Sequence, residues 1–203
     1  MLKLKIPFER LIKLLRSVNP KIDLPDALAP FLWQQMEEIT TSHHEVLVEQ
    51  GAIPKYAYFI IRGYIYVYYF DKYGYKHVIR FYAEDCIVAF LSFLERTESP
   101  YYIAAGRDTL LSRVSARDMQ HIYSTMSGMK EFAQLTVMRY DASKEKLRED
   151  LLGLGAKERV KEFYLEYPFL LPAETARMDE EIALFLQMSM RTLIRYRNEI
   201  VAV

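Results

Sequence analysis

The chain has 203 residues with 27 basic and 27 acidic side chains, and 51% of it is hydrophobic. These are proportions of a globular protein with one large or two small domains, not of a disordered chain. No apolar run reaches the roughly 18–20 residues of a membrane span, the charged N-terminus lacks the pattern of a signal peptide, and the single cysteine, Cys86, excludes an internal disulfide and a four-thiolate metal site. We expect a cytoplasmic, bacterial-type protein; its zero net charge disfavours diffuse nucleic-acid binding but permits a locally basic surface.

The first part of the chain carries a short amphipathic segment. Over residues 7–18, apolar side chains recur at helical spacing opposite charged ones, and Asn19-Pro20 ends the pattern. We expect a helix that docks on the following domain, with a partner-binding helix as the alternative. Trp33 follows within an apolar cluster and is expected to pack in the core.

Aromatic residues are concentrated in the next stretch, where nine of the 16 tyrosines lie between Tyr56 and Tyr82. Around residue 65, side chains alternate with the period of two that is typical of a strand. The turn residues Asp71-Lys72-Tyr73-Gly74 and a second run over 76–82 predict a β-hairpin. Further strands are predicted over residues 45–48, 86–90, 101–105 and 110–114. This pattern indicates a barrel or jelly-roll-like sandwich over about residues 36–115, with the tyrosines in its core and on a half-exposed hairpin face. An aromatic-ligand or partner site is the alternative.

The periodicity becomes helical after residue 115. A short helix is predicted over 117–126 and a long one over 129–152, which would span about 36 Å at 1.5 Å per residue. One small β domain does not need so long a helix to close its core, so a dimer seam is predicted; a helix lying across its own barrel is the alternative. The apolar positions of the seam are Met129, Phe132, Leu135, Met138, Ala142, Leu147 and Leu151.

The last part of the chain has the pattern of a helix-turn-helix. Gly153-Leu154-Gly155 is a candidate hinge, a helix is predicted over 156–167, and a loop follows over 168–178. Two short helices are then predicted over 179–186 and 190–201, the first with acidic residues at its start and the second with Ser189 as N-cap. The second helix carries Arg191, Arg195 and Arg197, which suit phosphate and guanine contacts. A solvated charged helix end is the alternative.

This order of elements resembles the Crp/Fnr superfamily of transcription regulators over about residues 30–200. The motifs that carry the resemblance are Gly51, Tyr58-Phe59-Ile60-Ile61-Arg62-Gly63, Gly74, Ala156-Lys157-Glu158-Arg159-Val160, Glu181-Ile182-Ala183 with Leu186, and Ser189 to Arg195. The resemblance implies a cyclic-nucleotide-binding-like β-roll, which turns sharply at the glycines, and a DNA-binding domain with Leu186 and Leu193 in its core.

The sequence departs from the family where cyclic AMP would bind. Members that bind it have a Gly-Glu pair for the ribose and, about ten residues later, an arginine for the phosphate; the matching positions here are Val88-Ala89 and Ser99. A buried phosphate without a cation is costly, so the roll is expected not to respond to cyclic AMP. The degenerate pocket comprises Val88, Ala89, Phe90, Ser99, Tyr101 and Tyr102. Gln187, where the family often has glycine, and Met190 also depart from the family's motif.

Other chemistry finds little support in the sequence. His43 and His44 are adjacent and do not fit a cupin metal site, and His77 is expected to be an ordinary strand histidine rather than a haem ligand. Cys86 is expected to be a small core residue. No phosphate loop or nucleophile elbow is present, so we expect no enzyme, no catalytic residue, no metal and no cofactor.

The sequence therefore predicts an α+β protein in four parts: an N-terminal helical arm (1–29), a cyclic-nucleotide-binding-like β-roll (30–126), a dimerisation helix (127–153) and a helix-turn-helix domain (154–203). The expected function is a homodimeric transcription regulator that binds a palindromic double-stranded operator, with any small-molecule effector unidentified. The alternative is a sensor or interaction protein that has lost DNA binding. The predicted DNA-binding residues are Ser189, Met190, Arg191, Thr192, Arg195 and Arg197.

Overall fold

The computed structural model describes residues 4–171 and 176–201. The strands are β1 (Glu37–Thr40), β2 (Glu45–Val48), β3 (Tyr56–Arg62), β4 (Ile65–Phe70), β5 (Lys76–Tyr82), β6 (Ile87–Val88), β7 (Tyr102–Ala105) and β8 (Leu110–Ser115). The α-helices are α1 (Lys5–Val18), α2 (Leu28–Gln35), α3 (Leu91–Glu95), α4 (Ala116–Thr125), α5 (Met129–Leu152), α6 (Ala156–Glu166), α7 (Ala176–Phe185) and α8 (Met190–Val201). A 3₁₀ turn covers Pro168–Leu170.

The strands form two four-stranded sheets with the orders β1-β8-β3-β6 and β2-β7-β4-β5. The central pair of the first sheet, β3 and β8, is antiparallel and joins Tyr56 to Ser115 and Phe59 to Ser112. β1 pairs with the other edge of β8, and β2 pairs antiparallel with β7. Strands distant in sequence are therefore neighbours in both sheets, as in a roll, and the predicted α+β fold with a β-roll is confirmed.

One predicted strand is shorter than expected. The apolar run over 86–90 forms only the two-residue strand β6, and α3 begins after this run, at Leu91, with Ser92, Phe93 and Leu94 buried. β1 and α2, which the sequence analysis did not predict, precede the predicted strands.

The described residues fall into two compact units. The first comprises the chain up to Ile65 together with Tyr82–Asp141, and the second comprises Tyr66–Phe81 together with the chain from Ala142 onward. The β4–β5 hairpin is thus grouped with the C-terminal helices, a grouping that differs from the predicted division of the chain. The division of the chain into four functional parts, 1–29, 30–126, 127–153 and 154–203, remains a prediction.

Helices cover one face of β3 in the first unit. Ala57, Phe59 and Ile61 alternate along β3 and join a buried cluster with residues of α1, α2, α4 and α5. The helix α1 docks there as predicted: Phe8 packs edge-on against Trp33 at 5.0 Å, and Arg10 binds Asp85 at 3.0 Å. Trp33 itself is 37% exposed, so it lies at the edge of the core rather than within it.

The first half of α5 packs within its own chain. Met129, Phe132 and Val137 are buried in the core of the first unit, whereas Met138 is 58% exposed. This part of α5 therefore fits the alternative of a helix lying against its own β-roll. Of the predicted seam positions in the described chain, Met138 and Ala142 are the exposed ones.

An aromatic cluster forms the centre of the second unit. Phe81 of β5 and Phe163 of α6 are fully buried, and their ring centroids lie 5.6 Å apart in an edge-to-face arrangement. Phe185 of α7 and Tyr167 complete the cluster, and the Tyr167 hydroxyl donates to the Phe81 carbonyl at 3.1 Å. The hairpin and the C-terminal helices thus share one hydrophobic core.

Burial of the tyrosines follows from these two cores. Tyr58, Tyr64, Tyr66, Tyr68 and Tyr82 are at most 6% exposed, while Tyr73 and Tyr75 at the hairpin loop are about 70% exposed. On β4, consecutive residues from Ile65 to Tyr68 are all buried, so both faces of the strand are covered. The residues that alternate along β4 therefore point to two different faces of the strand, and both faces are buried.

The sharp turn at Gly63 confirms one part of the family resemblance. Its φ is +91°, and a Cβ there would lie 2.6 Å from the Thr109 hydroxyl oxygen. Both the backbone conformation and the space exclude a larger residue. Gly51 and Gly74 also have positive φ.

The hairpin loop is organised by Asp71. One carboxylate oxygen accepts from the backbone N–H groups of Tyr73 (2.8 Å) and Tyr75 (3.0 Å), and the other lies 3.0 Å from His77 Nε2. The hydrogen bond with His77, helped by these two N–H groups, holds the pKa of Asp71 below its usual value of 3.8. The charged carboxylate therefore stabilises the loop.

We expect the contribution of Asp71 to stability to be acid-sensitive. Because its folded-state pKa is depressed, the contribution is present above pH 3.8 and is lost as the pH falls through the lower folded value. An NMR titration of the Asp71 carboxyl carbon should give a midpoint below 3.8, and His77→Gln should move it upward. A midpoint unaffected by His77→Gln would contradict this assignment.

Candidate DNA-binding motif and ligand pocket

The helices α7 and α8 lie where the sequence predicts a helix-turn-helix. Ile182, Leu186 and Leu193 are fully buried and Ala183 is 4% exposed, which confirms the predicted core. The Ser189 hydroxyl accepts from the Thr192 N–H at 3.1 Å, so Ser189 caps α8 as predicted. The cap fixes the start of α8 and places the following residues on its first turn.

The turn between the helices contains a strained residue. Gln187 has φ +51°, in the left-handed region, and the next N–H, that of Met188, bonds to the Ala183 carbonyl at 3.0 Å. This region suits glycine because a Cβ is crowded there. Gln187 thus keeps the geometry of the turn although it replaces the family's glycine.

We expect Gln187→Gly to raise the free energy of unfolding by about 0.5–1 kcal/mol, because glycine removes the strain at the cost of a more flexible unfolded chain. Urea denaturation followed by circular dichroism would measure the change. Gln187→Ala is the matched control, since it shortens the side chain but keeps the Cβ, and it should bring no gain. Equal effects of the two substitutions would contradict the interpretation.

The three arginines of α8 have different surroundings. Arg191 and Arg195 are exposed, four residues apart, and Arg195 lies over the Tyr196 ring at 4.4 Å. Arg197 instead makes a two-pronged ion pair with Asp179 of α7, and its side chain is only 14% exposed. Met190 and Ser189 are exposed and Thr192 is half-buried. The exposed part of the predicted set therefore gathers at the first turns of α8, while Arg197 joins the two helices.

Arg159 connects the motif to the candidate hinge. Its guanidinium donates to the carbonyl oxygens of Leu186 (2.6 Å), Leu154 (2.9 Å) and Leu152 (3.1 Å). Arg159 thus connects the end of α5 and the candidate hinge Gly153-Leu154-Gly155 to the residue that follows α7. Arg159 belongs to the segment that resembles the family, but the sequence predicts no role for it, because its partners are backbone groups, which leave no pattern in the sequence.

Lys76 and Glu181 form a further unforeseen contact. The lysine ammonium binds the Glu181 carboxylate, whose side chain is 1% exposed, and lies 4.2 Å from the centroid of the Tyr68 ring. Glu181 and Asp179 were interpreted as acidic residues of a helix start. In the structure each also has a basic partner: Glu181 pairs with Lys76, and Asp179 pairs with Arg197.

The degenerate pocket residues lie around α3. Val88 and Ser99 are almost fully buried, Phe90 is 5% exposed, and Ala89, Tyr101 and Tyr102 are half-buried. The Ser99 hydroxyl donates to the Tyr101 carbonyl at 2.8 Å and accepts from the Tyr101 N–H at 3.2 Å. The rings of Phe90 and Tyr101 lie 6.2 Å apart. Ser99 thus closes a local turn, and none of these six side chains supplies a cation for a phosphate.

The remaining candidate groups are occupied by local contacts. His77 stacks on Tyr69 at 5.0 Å as well as binding Asp71, and His121 stacks on Phe31. Cys86 is half-buried, so it lies at the edge of the core rather than within it. Burial raises the pKa of Tyr58 and of Tyr140 to about 12, so neither ionises near neutrality. Within residues 4–171 and 176–201, no cluster of His, Cys, Asp or Glu could hold a metal ion.

Comparison with known proteins agrees with this arrangement. Residues 39–126 match the family model of the cyclic nucleotide-binding domain. FixK2 from Bradyrhizobium japonicum is similar in structure, with a TM-score of 0.65 and 17% identity over 82% of this chain and 85% of that chain. The Thermus thermophilus catabolite activator protein matches with a TM-score of 0.52 and 15% identity over 93% of this chain and 87% of that chain. The chain has a Crp/Fnr-like fold.

A third Crp/Fnr-like neighbour is CLP from Xanthomonas campestris, a c-di-GMP-responsive global regulator. Its TM-score is 0.60, with 11% identity over 88% of this chain and 92% of that chain. No curated protein matches the sequence. The fold inferred from the sequence motifs is thus confirmed. In this Crp/Fnr-like chain, no helix of the described part is long and apolar enough to cross a membrane.

Proposed function

We propose that the protein is a homodimeric transcription regulator that binds double-stranded DNA through α8. The observation that carries the proposal is the capped start of α8, where Arg191 and Arg195 are exposed on one face of a fully packed helix-turn-helix. A recognition helix contacts base edges with its N-terminal residues. Its first turn also presents backbone N–H groups that suit phosphate.

The DNA-contacting set in this proposal is Ser189, Met190, Arg191, Thr192 and Arg195. Arg195 can offer two donors to guanine or to a phosphate. Arg197 supports the motif through Asp179 and is expected to act on DNA only by holding α8 in place. The fold of CLP, a regulator, supports gene regulation as the output.

Dimerisation would place two copies of α8 in successive major grooves about 34 Å apart. The exposed Met138 and Ala142 of α5 are the surface proposed for the seam. A two-fold dimer reads a palindrome, because each half-site meets the same side chains. Any signal would act by favouring one of two dimer arrangements, with Gly153-Leu154-Gly155 as the hinge.

Cyclic AMP is not expected to be that signal. Ala89 and Ser99 stand where the family's glutamate and arginine bind the ribose and phosphate, and no cation of the pocket replaces them. The alternative function, a sensor or interaction protein with the same fold, differs from the proposal in a single measurable property, which is DNA binding.

The test is selection of binding sites from a pool of random duplexes at two salt concentrations. Wild-type protein should enrich a palindromic site, and light scattering should give the mass of a dimer. Arg195→Ala should weaken binding by about 10- to 100-fold and reduce the salt dependence, because a phosphate or guanine contact is lost. Addition of cyclic AMP should leave the affinity unchanged.

The matched control is Arg107→Ala, which removes the same charge from an exposed loop of the β-roll. It should bind the selected site like the wild type. An Arg195→Ala variant that binds as tightly as Arg107→Ala, or a wild-type protein that enriches no site, would overturn the proposal in favour of the interaction protein.

A further inference from the structure

The first unit contains an apolar cavity of about 100 Å³ between β3 and the helices that cover it. Its walls include Ala57 and Phe59 of β3, Leu32 of α2, and Met129, Phe132 and Ala133 of α5. Of the six residues of the degenerate cyclic-nucleotide pocket, Ala89 alone reaches this wall. The cavity is therefore distinct from the position where the family binds its nucleotide.

The surface of the cavity is almost wholly apolar. Two of its lining residues, Tyr58 and Thr136, carry a hydroxyl, and the Thr136 hydroxyl donates to the Phe132 carbonyl at 2.8 Å and accepts from the Asn19 amide at 3.3 Å. Water needs two to four polar partners to stay in a cavity. A charged molecule would be buried without a counter-charge, which is costly. These conditions exclude nucleotides, phosphates and carboxylates and favour an uncharged hydrocarbon.

The volume of the cavity and the composition of its wall further limit the molecules that can bind. An engineered cavity of about 150 Å³ lined by leucine, isoleucine and phenylalanine binds benzene, so this smaller cavity of about 100 Å³ suits a molecule no larger than benzene. Three methionines line it, Met36, Met119 and Met129, and flexible thioether side chains can adapt to a ligand's shape. Well-packed cores leave few voids larger than a water molecule, so a cavity of this volume is unusual.

We propose that this cavity binds a small, uncharged, hydrocarbon-like molecule about the size of a benzene ring. The molecule contacts the first half of α5, at Met129 and Ala133, and the sheet face at Ala57 and Phe59. The inference does not rest on DNA binding, because occupancy of the cavity is measured directly.

The test uses benzene as the probe and wild-type full-length protein. Calorimetric titration should show saturable 1:1 binding with a dissociation constant in the millimolar range or below, and benzene should raise the midpoint of thermal unfolding. Benzoate has the same ring with a negative charge and should not bind. Absence of saturable benzene binding, or equal binding of benzoate, overturns the proposal.

Two variants locate the site. Ala133→Leu extends a side chain from α5 into the cavity and should weaken benzene binding at least tenfold. Ala52→Leu, the same substitution at an exposed position between β2 and β3, should bind benzene like the wild type. Since Ala133→Leu can overpack the core, Ala89→Val provides a second, smaller filling at another lining residue. Wild-type benzene affinity in both filling variants would show that benzene binds elsewhere and would refute the proposed site.

Discussion

Replacing Lys76 with methionine is expected to lower the free energy of unfolding by about 3–5 kcal/mol, because removing one partner of a buried ion pair leaves the other charge buried. Lys76 of β5 is 20% exposed, and its partner Glu181 of α7 is 1% exposed. The lysine also lies 4.2 Å from the Tyr68 ring centroid, and this favourable contact is lost with the charge. Urea denaturation at neutral pH would measure the change.

A double substitution separates the ion pair from general disruption of the hairpin. Lys76→Met combined with Glu181→Met removes both charges, and it should recover most of the loss since apolar replacements of buried pairs are often neutral or stabilising. Lys72→Met, at an exposed position of the hairpin loop, is the matched control and should change stability by no more than about 0.5 kcal/mol. A double variant as unstable as Lys76→Met would show that Lys76 acts through packing alone.

The second large effect is expected at the aromatic cluster. Phe163→Ala should lower the free energy of unfolding by about 3–5 kcal/mol, as large-to-small substitutions of buried aromatic residues do. Phe163 is fully buried, and its ring centroid lies within 6 Å of those of Phe81, Tyr167 and Phe185. The cavity left behind would separate the hairpin from α6 and α7. Chemical denaturation, with the slope compared with that of wild type, would measure the loss.

The control for this substitution lies on the same helix. Leu165 of α6 is 64% exposed, so Leu165→Ala should alter the stability by about 0.5 kcal/mol or less. If Phe163→Ala were as mild as Leu165→Ala, the hairpin and the C-terminal helices would not share a core in solution. Hydrogen exchange of the β5 amides should show the same contrast, with faster exchange in Phe163→Ala than in Leu165→Ala.

The resemblance of the sequence to one family proved most informative about the fold. Gly63, Leu186 and Leu193 each stand where the family motif places a sharp turn or a core contact, and the structure confirms all three. The surroundings of the candidate DNA-binding side chains were harder to predict from the sequence. Arg195 and Arg197 look equivalent in the sequence, but one is exposed and the other pairs with Asp179. Nothing in the local pattern distinguishes them, because the partner lies 18 residues away.

Local patterns in the sequence were enough to predict several of the elements. Strand β5, the long helix α5 and the capped helix α8 have the bounds that periodicity and capping predict, since both depend on residues within one or two turns. The residues that cover each face of these elements follow from long-range packing. Both sides of β4 are buried, and Lys76 meets Glu181 across 105 residues of chain. Contacts between segments so distant depend on how the whole chain packs, and no period or short motif encodes them.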